Sequence, residues 1–137
     1  MAVSTITEMI DADLQEVWNV VTSLDSFGWR SDLSDIKIIN EERFVEYSKD
    51  GYSTTFTITK TEPFRCWEFD MENDNITGHW KGIFTRVDNK TEITFTEDVK
   101  VKKLVMRPFV GLYLRRQQIR YVNDLKEHIR RKHDTRI

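Results

Sequence analysis

Thr91-Glu92-Ile93-Thr94-Phe95-Thr96-Glu97-Asp98-Val99-Lys100-Val101-Lys102 is followed, after a short gap, by Pro108-Phe109-Val110-Gly111-Leu112-Tyr113-Leu114-Arg115-Arg116-Gln117-Gln118-Ile119-Arg120-Tyr121-Val122-Asn123-Asp124-Leu125-Lys126-Glu127-His128-Ile129-Arg130-Arg131. The first stretch alternates with period two, Ile93, Phe95, Glu97 and Val99 against Thr94, Thr96 and Asp98, and reads as a strand. The second reads as one long helix. Its start falls between Lys103 and Arg107, because Pro108 fits only in a first turn. From Pro108 to Arg131 is 24 residues, or about 36 Å of helix. Phe109, Leu112 and Tyr113 form an early apolar stripe and Ile119, Val122, Leu125 and Ile129 a late one. At about 100° per residue the two do not coincide, which predicts a bend near Gly111 or two contact surfaces.

More strands precede this pair. Ile76 to Val87 places Trp80 and Phe84 on one face with Gly78 and Gly82, and Asp88-Asn89-Lys90 turns the chain into the last strand. Before it, Arg65 to Glu72 sets Trp67, Phe69 and Met71 against Cys66, Glu68, Asp70 and Glu72, one face apolar and the other acidic. Pro63 separates that strand from Tyr52 to Thr61, and Lys49-Asp50-Gly51 is the signal of a tight hairpin back to Arg43 to Tyr47. Ile36 to Ile39 is a further short strand. At the N-terminus, Val3 to Ile10 is a strand with Ile6, Glu8 and Ile10 on one face. Asp13 and Glu16 have capping-box spacing ahead of Leu14, Val17, Trp18 and Val21 at helical spacing. Ser23 to Asp35, with Phe27 and Trp29, reads as a second short helix or an ordered loop. The class is therefore α+β: a curved antiparallel sheet of about seven strands against one long helix. One helix cannot cover such a sheet, so the sheet curls around it and leaves space between them.

Composition agrees with one domain spanning residues 1–137. The chain is 39% hydrophobic and 32% charged, with two Pro and five Gly, which excludes collagen-like and low-complexity chains. No leader-like or membrane-spanning run is found, so a cytoplasmic location and no stable membrane insertion are expected. Cys66 is the sole cysteine, which excludes an intrachain disulfide or a CxxC site. Residues 1–99 carry a net charge of −11 and residues 100–137 a net +9. A basic tail of this kind can bind nucleic acid. No aromatic residue interleaves with Arg130-Arg131-Lys132, however, and pairing with the acidic sheet accounts for the asymmetry, so no nucleic-acid partner is expected.

Strand parity turns Tyr52, Phe56, Ile58, Trp67, Phe69 and Met71 toward the helix, together with Trp80, Phe84, Ile93 and Phe95. Each either packs a core or lines a ligand cavity. Gly78 and Gly82 either let the sheet bend or make room for a ligand over Trp80. Glu97 shares the apolar face. Desolvated there, its pKa would rise and it could act as an acid or base or hold a polar ligand group. Alternatively it returns to water or pairs with Arg107, Arg116 or Arg120. Glu8 raises the same question, and Thr54 adds a hydroxyl. Phe109, Tyr113 and Gln117 could meet a ligand from the helix. No His pair has metal-ligand spacing, and Asp70-x-Glu72-x-Asp74 lacks the Gly and final Glu of a calcium loop, so no metal is expected. Without a P-loop, a nucleophile elbow or a dinucleotide fingerprint, no cofactor is expected either.

Ile10-Asp11-Ala12-Asp13 leading to Glu16-Val17-Trp18, Leu24-Asp25-Ser26-Phe27 to Trp29-Arg30-Ser31-Asp32-Leu33, Trp67-Glu68-Phe69, Gly78-His79-Trp80 and Thr96-Glu97-Asp98-Val99 resemble the START-like, or SRPBCC, superfamily. Its members include the major birch pollen allergen, lipid-transfer START domains and polyketide cyclases, and this chain looks like the bacterial polyketide cyclase/dehydrase and lipid-transport branch. The resemblance runs from about Val3 to Ile129 and implies the helix-grip fold with two short helices after the first strand. Gly28 stands where the family often has Pro. The resemblance implies a binding protein, monomeric or homodimeric, that holds an apolar or aromatic small molecule such as a lipid, isoprenoid or polyketide between sheet and helix. The expected lining is Tyr52, Phe56, Trp67, Phe69, Met71, Trp80, Phe84, Phe95, Glu97, Phe109, Tyr113 and Gln117. A cyclase-type enzyme using Glu97, or an interaction module without a ligand, are the alternatives.

Overall fold

The computed structural model describes residues 2–103 and 107–134. The chain runs β1 (Ala2–Ile10), α1 (Leu14–Thr22), β2 (Leu33–Ile38), β3 (Arg43–Ser48), β4 (Ser53–Glu62), β5 (Cys66–Glu72), β6 (Ile76–Val87), β7 (Lys90–Val101) and α2 (Arg107–Asp134). All seven strands form one antiparallel sheet in the order β1-β7-β6-β5-β4-β3-β2. Consecutive strands from β2 onward are hairpin neighbours, and β1 closes the far edge by pairing with β7 from Ala2↔Val99 to Ile10↔Thr91. This is the expected helix-grip arrangement. At the β3–β4 turn Gly51 takes φ +88°, the left-handed conformation a glycine adopts without strain. The β5–β6 turn is held by Asn73, whose Oδ1 accepts from Asn75 N at 2.8 Å and Ile76 N at 2.9 Å.

Three local expectations are corrected. Only one short helix follows β1, because residues 23–32 form turns, with Arg30 N donating to Phe27 O at 2.9 Å and Ser26 N to Ser23 Oγ at 3.2 Å. Trp29 is held there by α2, its ring 5.2 Å from Tyr121 and 6.0 Å from His128, so tertiary packing replaces helical hydrogen bonding. The Asp13–Glu16 capping box does not form. Glu16 instead meets His133 Nε2 of α2 at 2.7 Å. The third correction concerns α2, which has a single buried stripe, Leu114, Gln118, Val122, Leu125 and Ile129. Phe109, Leu112, Tyr113 and Ile119 are exposed.

That stripe decides where the helix sits. It packs chiefly on β1 and β7, while α1 rests on β6 and β7. Gln118 is the clamp: its Nε2 donates to Ser4 O at 2.8 Å and Phe95 O at 3.3 Å, and its Oε1 accepts from Ser4 Oγ at 2.7 Å. A fully bonded buried amide is stable in such a place, whereas an unbonded one would not be. Seating α2 at one side of the sheet leaves the concave face of β3, β4 and β5 without a helix over it.

Aromatic side chains cover that face. Phe44 stacks on Phe56 at 4.9 Å and Phe69 on Trp80 at 4.8 Å, with Trp67 edge-on to Phe69 at 5.2 Å. Gly82 makes the Trp80 position possible, since a Cβ there would lie 2.5 Å from the Trp80 ring and 3.3 Å from Phe95. The space above Gly82 thus belongs to Trp80 itself, neither to a ligand nor to a bend. With Phe69 behind it the ring has little freedom to retreat. Gly82→Ala should destabilise the fold by about 1–3 kcal/mol in urea unfolding. Gly28→Ala, where an added Cβ meets nothing within 4 Å, should stay within about 0.5 kcal/mol of the parent. Equal midpoints for the two variants would refute this packing account.

Candidate functional site

Between the uncovered face of the sheet, the 23–32 turns and the first half of α2 lies a cavity of about 960 Å³, at the upper end of small-molecule sites. Phe56, Trp67, Phe69, Met71, Trp80 and Phe95 form its walls as strand parity predicts, and Phe44 and Tyr121 join them. Tyr52, Phe109 and Tyr113 also border it, but at the rim. They are 61%, 68% and 57% exposed, and Tyr52 stands in the turn before β4 rather than in a strand. Gln117 lies beside them and donates from Nε2 to Tyr113 Oη at 2.9 Å. Thr54 lines the cavity and accepts from Asn73 Nδ2 at 3.0 Å. Phe84 does not border the cavity. It is packed into the solid core edge-on to Trp18 at 5.0 Å, and Ile93 is likewise enclosed.

Glu97 does line the cavity. In β7 its register partners are Ser4 and Trp80, and its exposed surface faces the cavity. Among the described residues its carboxyl has no hydrogen-bond or ion-pair partner. Arg120, one of the cations expected to neutralise it, donates instead to Ser31 Oγ at 2.8 Å and Ser31 O at 3.0 Å. Arg107 and Arg116 do not pair with it either. Burial pushes the Glu97 carboxyl up to about 7, the nearby Glu46 charge adds to the rise, and Arg30 opposes it. Glu8, by contrast, is settled at the surface by Lys126 Nζ at 2.6 Å.

A polar cluster not singled out from the sequence stands across the cavity. Arg30 Nη1 donates to Glu46 Oε2 at 2.7 Å, and Nη2 donates to Asp32 Oδ2 at 3.0 Å and Glu46 Oε1 at 3.4 Å. Its guanidinium lies 5.1 Å from the centre of the Tyr121 ring, a cation–π distance. Burial disfavours the guanidinium, but Glu46, Tyr121 and Asp32 outweigh it and hold Arg30 charged. Burial also raises the Tyr121 phenol well above its ordinary range, so this hydroxyl remains a neutral donor. The available signal for Glu46 was parity: it shares a strand face with Phe44. Nothing local marks Arg30 as the partner of Glu46, sixteen residues away.

The outer face is charge-balanced. His79 points outward as expected, with Nδ1 2.7 Å from Asp70 and Nε2 2.8 Å from Glu68. Burial disfavours its imidazolium, but these two hydrogen bonds outweigh that and raise its pKa. Among the described residues no group of three or more His, Cys, Asp or Glu is arranged to hold a metal, and no helix is long and apolar enough to cross a membrane.

The isolation of Glu97 has a pH signature. A carboxyl whose folded pKa exceeds its unfolded value adds stability at low pH that is lost as pH rises from about 4.5 to about 7. Relative to Glu97→Gln, the parent should therefore lose on the order of 2–3 kcal/mol between pH 4.5 and pH 8 in paired urea unfolding curves. Carbon-detected NMR titration should place Glu97 near 7, and lower in Glu46→Gln. A Glu97 that titrates in the usual carboxylate range would show it to be solvated.

A family model described as polyketide cyclase / dehydrase and lipid transport matches residues 1–130. Among solved structures, a START superfamily protein from Mycobacterium smegmatis superposes with a TM-score of 0.88 at 10% identity, covering 96% of this chain and 99% of that one. A conserved protein from Geobacillus kaustophilus gives 0.83 at 12% identity, covering 94% and 95%. The di-domain ARO/CYC BexL from the BE-7585A biosynthetic pathway gives 0.82 at 11% identity, covering 95% of this chain and 47% of that one. At such identities the likeness shows the fold alone. No curated protein matches the chain.

Proposed function

Because the chain belongs to the polyketide cyclase/dehydrase and lipid transport family, we propose that it is a small-molecule binding protein that encloses an apolar or aromatic ligand between sheet and C-terminal helix. The observation that carries this is the aromatic-walled cavity of about 960 Å³. A core of this composition normally closes on itself, since voids forfeit dispersion contacts. Here stacked and edge-on rings hold one another in place around the space. Apolar walls supply affinity, and a few polar groups, Glu97 and the Tyr121 phenol foremost, supply orientation. Tyr52, Phe109 and Tyr113 at the rim give an apolar ligand a graded path inward.

One observation favours a second reading. A carboxyl with its pKa near neutrality, within an apolar cavity that also holds a neutral phenol, is suited to general acid or base chemistry. On that reading the cavity folds a flexible substrate and Glu97 moves a proton. The binding reading comes first because it needs only the enclosure.

Native mass spectrometry of freshly purified protein, paired with the denatured mass, tests the reading. A discrete excess mass lost on denaturation is the expected result. Uptake of the uncharged fluorophore N-phenyl-1-naphthylamine provides a second readout. Val110→Trp, which places an indole at a cavity-lining position on α2, should weaken uptake at least about tenfold with an unchanged circular dichroism spectrum. A bare native mass together with no uptake by the parent protein would overturn the binding reading.

A further inference from the structure

The charges around the cavity are unequal. Arg30 is shared by Glu46 and Asp32; burial raises the Glu46 pKa and Arg30 opposes the rise, so with both acids ionised this cluster holds one carboxylate in excess, since a guanidinium contributes a single charge at any accessible pH. Glu97 adds a second. On the cationic side, both Nη atoms of Arg30 are engaged, and its remaining Nε is shielded and has no partner. Arg120 is exposed and bonded to Ser31, and Lys49 is exposed at the β3–β4 turn. Among the described residues the charged nitrogen left without a partner in the interior is Arg30 Nε, which has almost no exposed surface, so an anion would reach no accessible cationic donor there and would confront Glu97, Glu46 and Asp32. A cation would meet the opposite: an unpaired carboxylate set next to Trp80 in register, with Phe95 two residues along the same strand face and Tyr121 5.8 Å from Phe95. Aromatic faces beside a carboxylate make a favourable seat for an ammonium group.

We infer that the ligand carries one protonated amine on an apolar or aromatic body, and that the amine pairs with the Glu97 carboxylate beside Trp80. This rests on the binding reading above and narrows it. Fatty acids and other amphiphiles with an anionic head are poor occupants on this account, although their tails would suit the walls equally well. The amine relieves two costs together, the desolvation of Glu97 and its repulsion from Glu46, so Glu97 becomes fully ionised when the ligand enters.

Three probes of equal chain length separate the head groups: dodecylamine, dodecanol and dodecanoate, each kept below its micelle concentration at pH 8, where the amine is protonated. Displacement of N-phenyl-1-naphthylamine, checked by calorimetric titration of each probe directly, gives their relative affinities. Dodecylamine should bind at least about tenfold more tightly than dodecanoate and more tightly than dodecanol, the margin of one charge-assisted hydrogen bond. In Glu97→Gln the advantage over dodecanol should disappear while dodecanol binding is retained. Uptake of the fluorophore with dodecanoate or dodecanol binding as tightly as the amine, or an amine preference over dodecanol that persists in Glu97→Gln, overturns the amine assignment and leaves the cavity reading standing. Failure of the parent protein to bind the fluorophore or any probe removes both.

Discussion

The structure depends on where α2 is seated. Gln118 joins the helix to β1 and β7 through the Ser4 and Phe95 carbonyls and the Ser4 hydroxyl, and Leu114, Val122, Leu125 and Ile129 pack above and below it. An amide that completes its hydrogen bonds at one place on the sheet cannot do so one turn along, so it fixes helix register more sharply than another leucine would. With α2 held at the β1 side of the sheet, the β3–β5 face can be covered only by the 23–32 turns and by its own aromatic side chains. The cavity follows from this asymmetry.

Keeping that space open requires walls that do not fall inward. Paired rings meet this need: Phe44 braces Phe56, Phe69 braces Trp80, and Trp67 bridges the pairs, edge-on to Phe69 and Trp80 and parallel to Phe44. Each ring is positioned by its neighbour rather than by a side chain from the opposite wall, so the missing contacts across the cavity cost less than in a leucine core. Gly82 belongs to the same device, since it concedes its own side-chain volume to Trp80. The strand is locally weakened and the wall gains a fixed indole.

The sheet was legible because its strands alternate cleanly and its turns carry Gly, Asp and Asn at informative places. β6 was readable to its ends, and parity reached Phe56, Trp67, Phe69, Met71, Trp80 and Phe95 of the wall, but it also marked Phe84, which lies in the solid core, and did not mark Phe44 or Tyr121. The helix stripe was misread for a physical reason. Gln118 is polar yet buried, whereas Phe109, Leu112 and Tyr113 are apolar yet exposed, so hydrophobicity marked the wrong face in the first half of α2. Trp29 was ambiguous because its order comes from Tyr121 and His128, about a hundred residues away. The Arg30–Glu46–Asp32 cluster was hidden for the same reason: it exists only once β3 and the 23–32 turns are brought together, and nothing in local periodicity encodes that meeting.

Charge follows the same division between surface and interior. The acidic first part and basic last part of the chain meet in Lys126–Glu8 and His133–Glu16, pairs that close α2 over β1 and α1. Such pairs are partly screened and individually weak, and Lys102–Glu72 and Lys132–Glu16 join them, so part of the basic charge of the last segment is met by the acidic one. Glu97 is left out of this matching although Arg120 is on the same helix, because Arg120 is committed to Ser31 while strand parity turns Glu97 into the cavity. Of the described cations that line the cavity, Arg30 is bonded to Glu46 and Asp32, Arg120 to Ser31, and Lys49 is exposed at the β3–β4 turn, so none pairs with it. A cavity wall that retains a carboxylate without a partner among the described residues, in a chain that pairs so many of its other charges, is the reason the proposed recognition is placed at Glu97 rather than at the basic end of the helix.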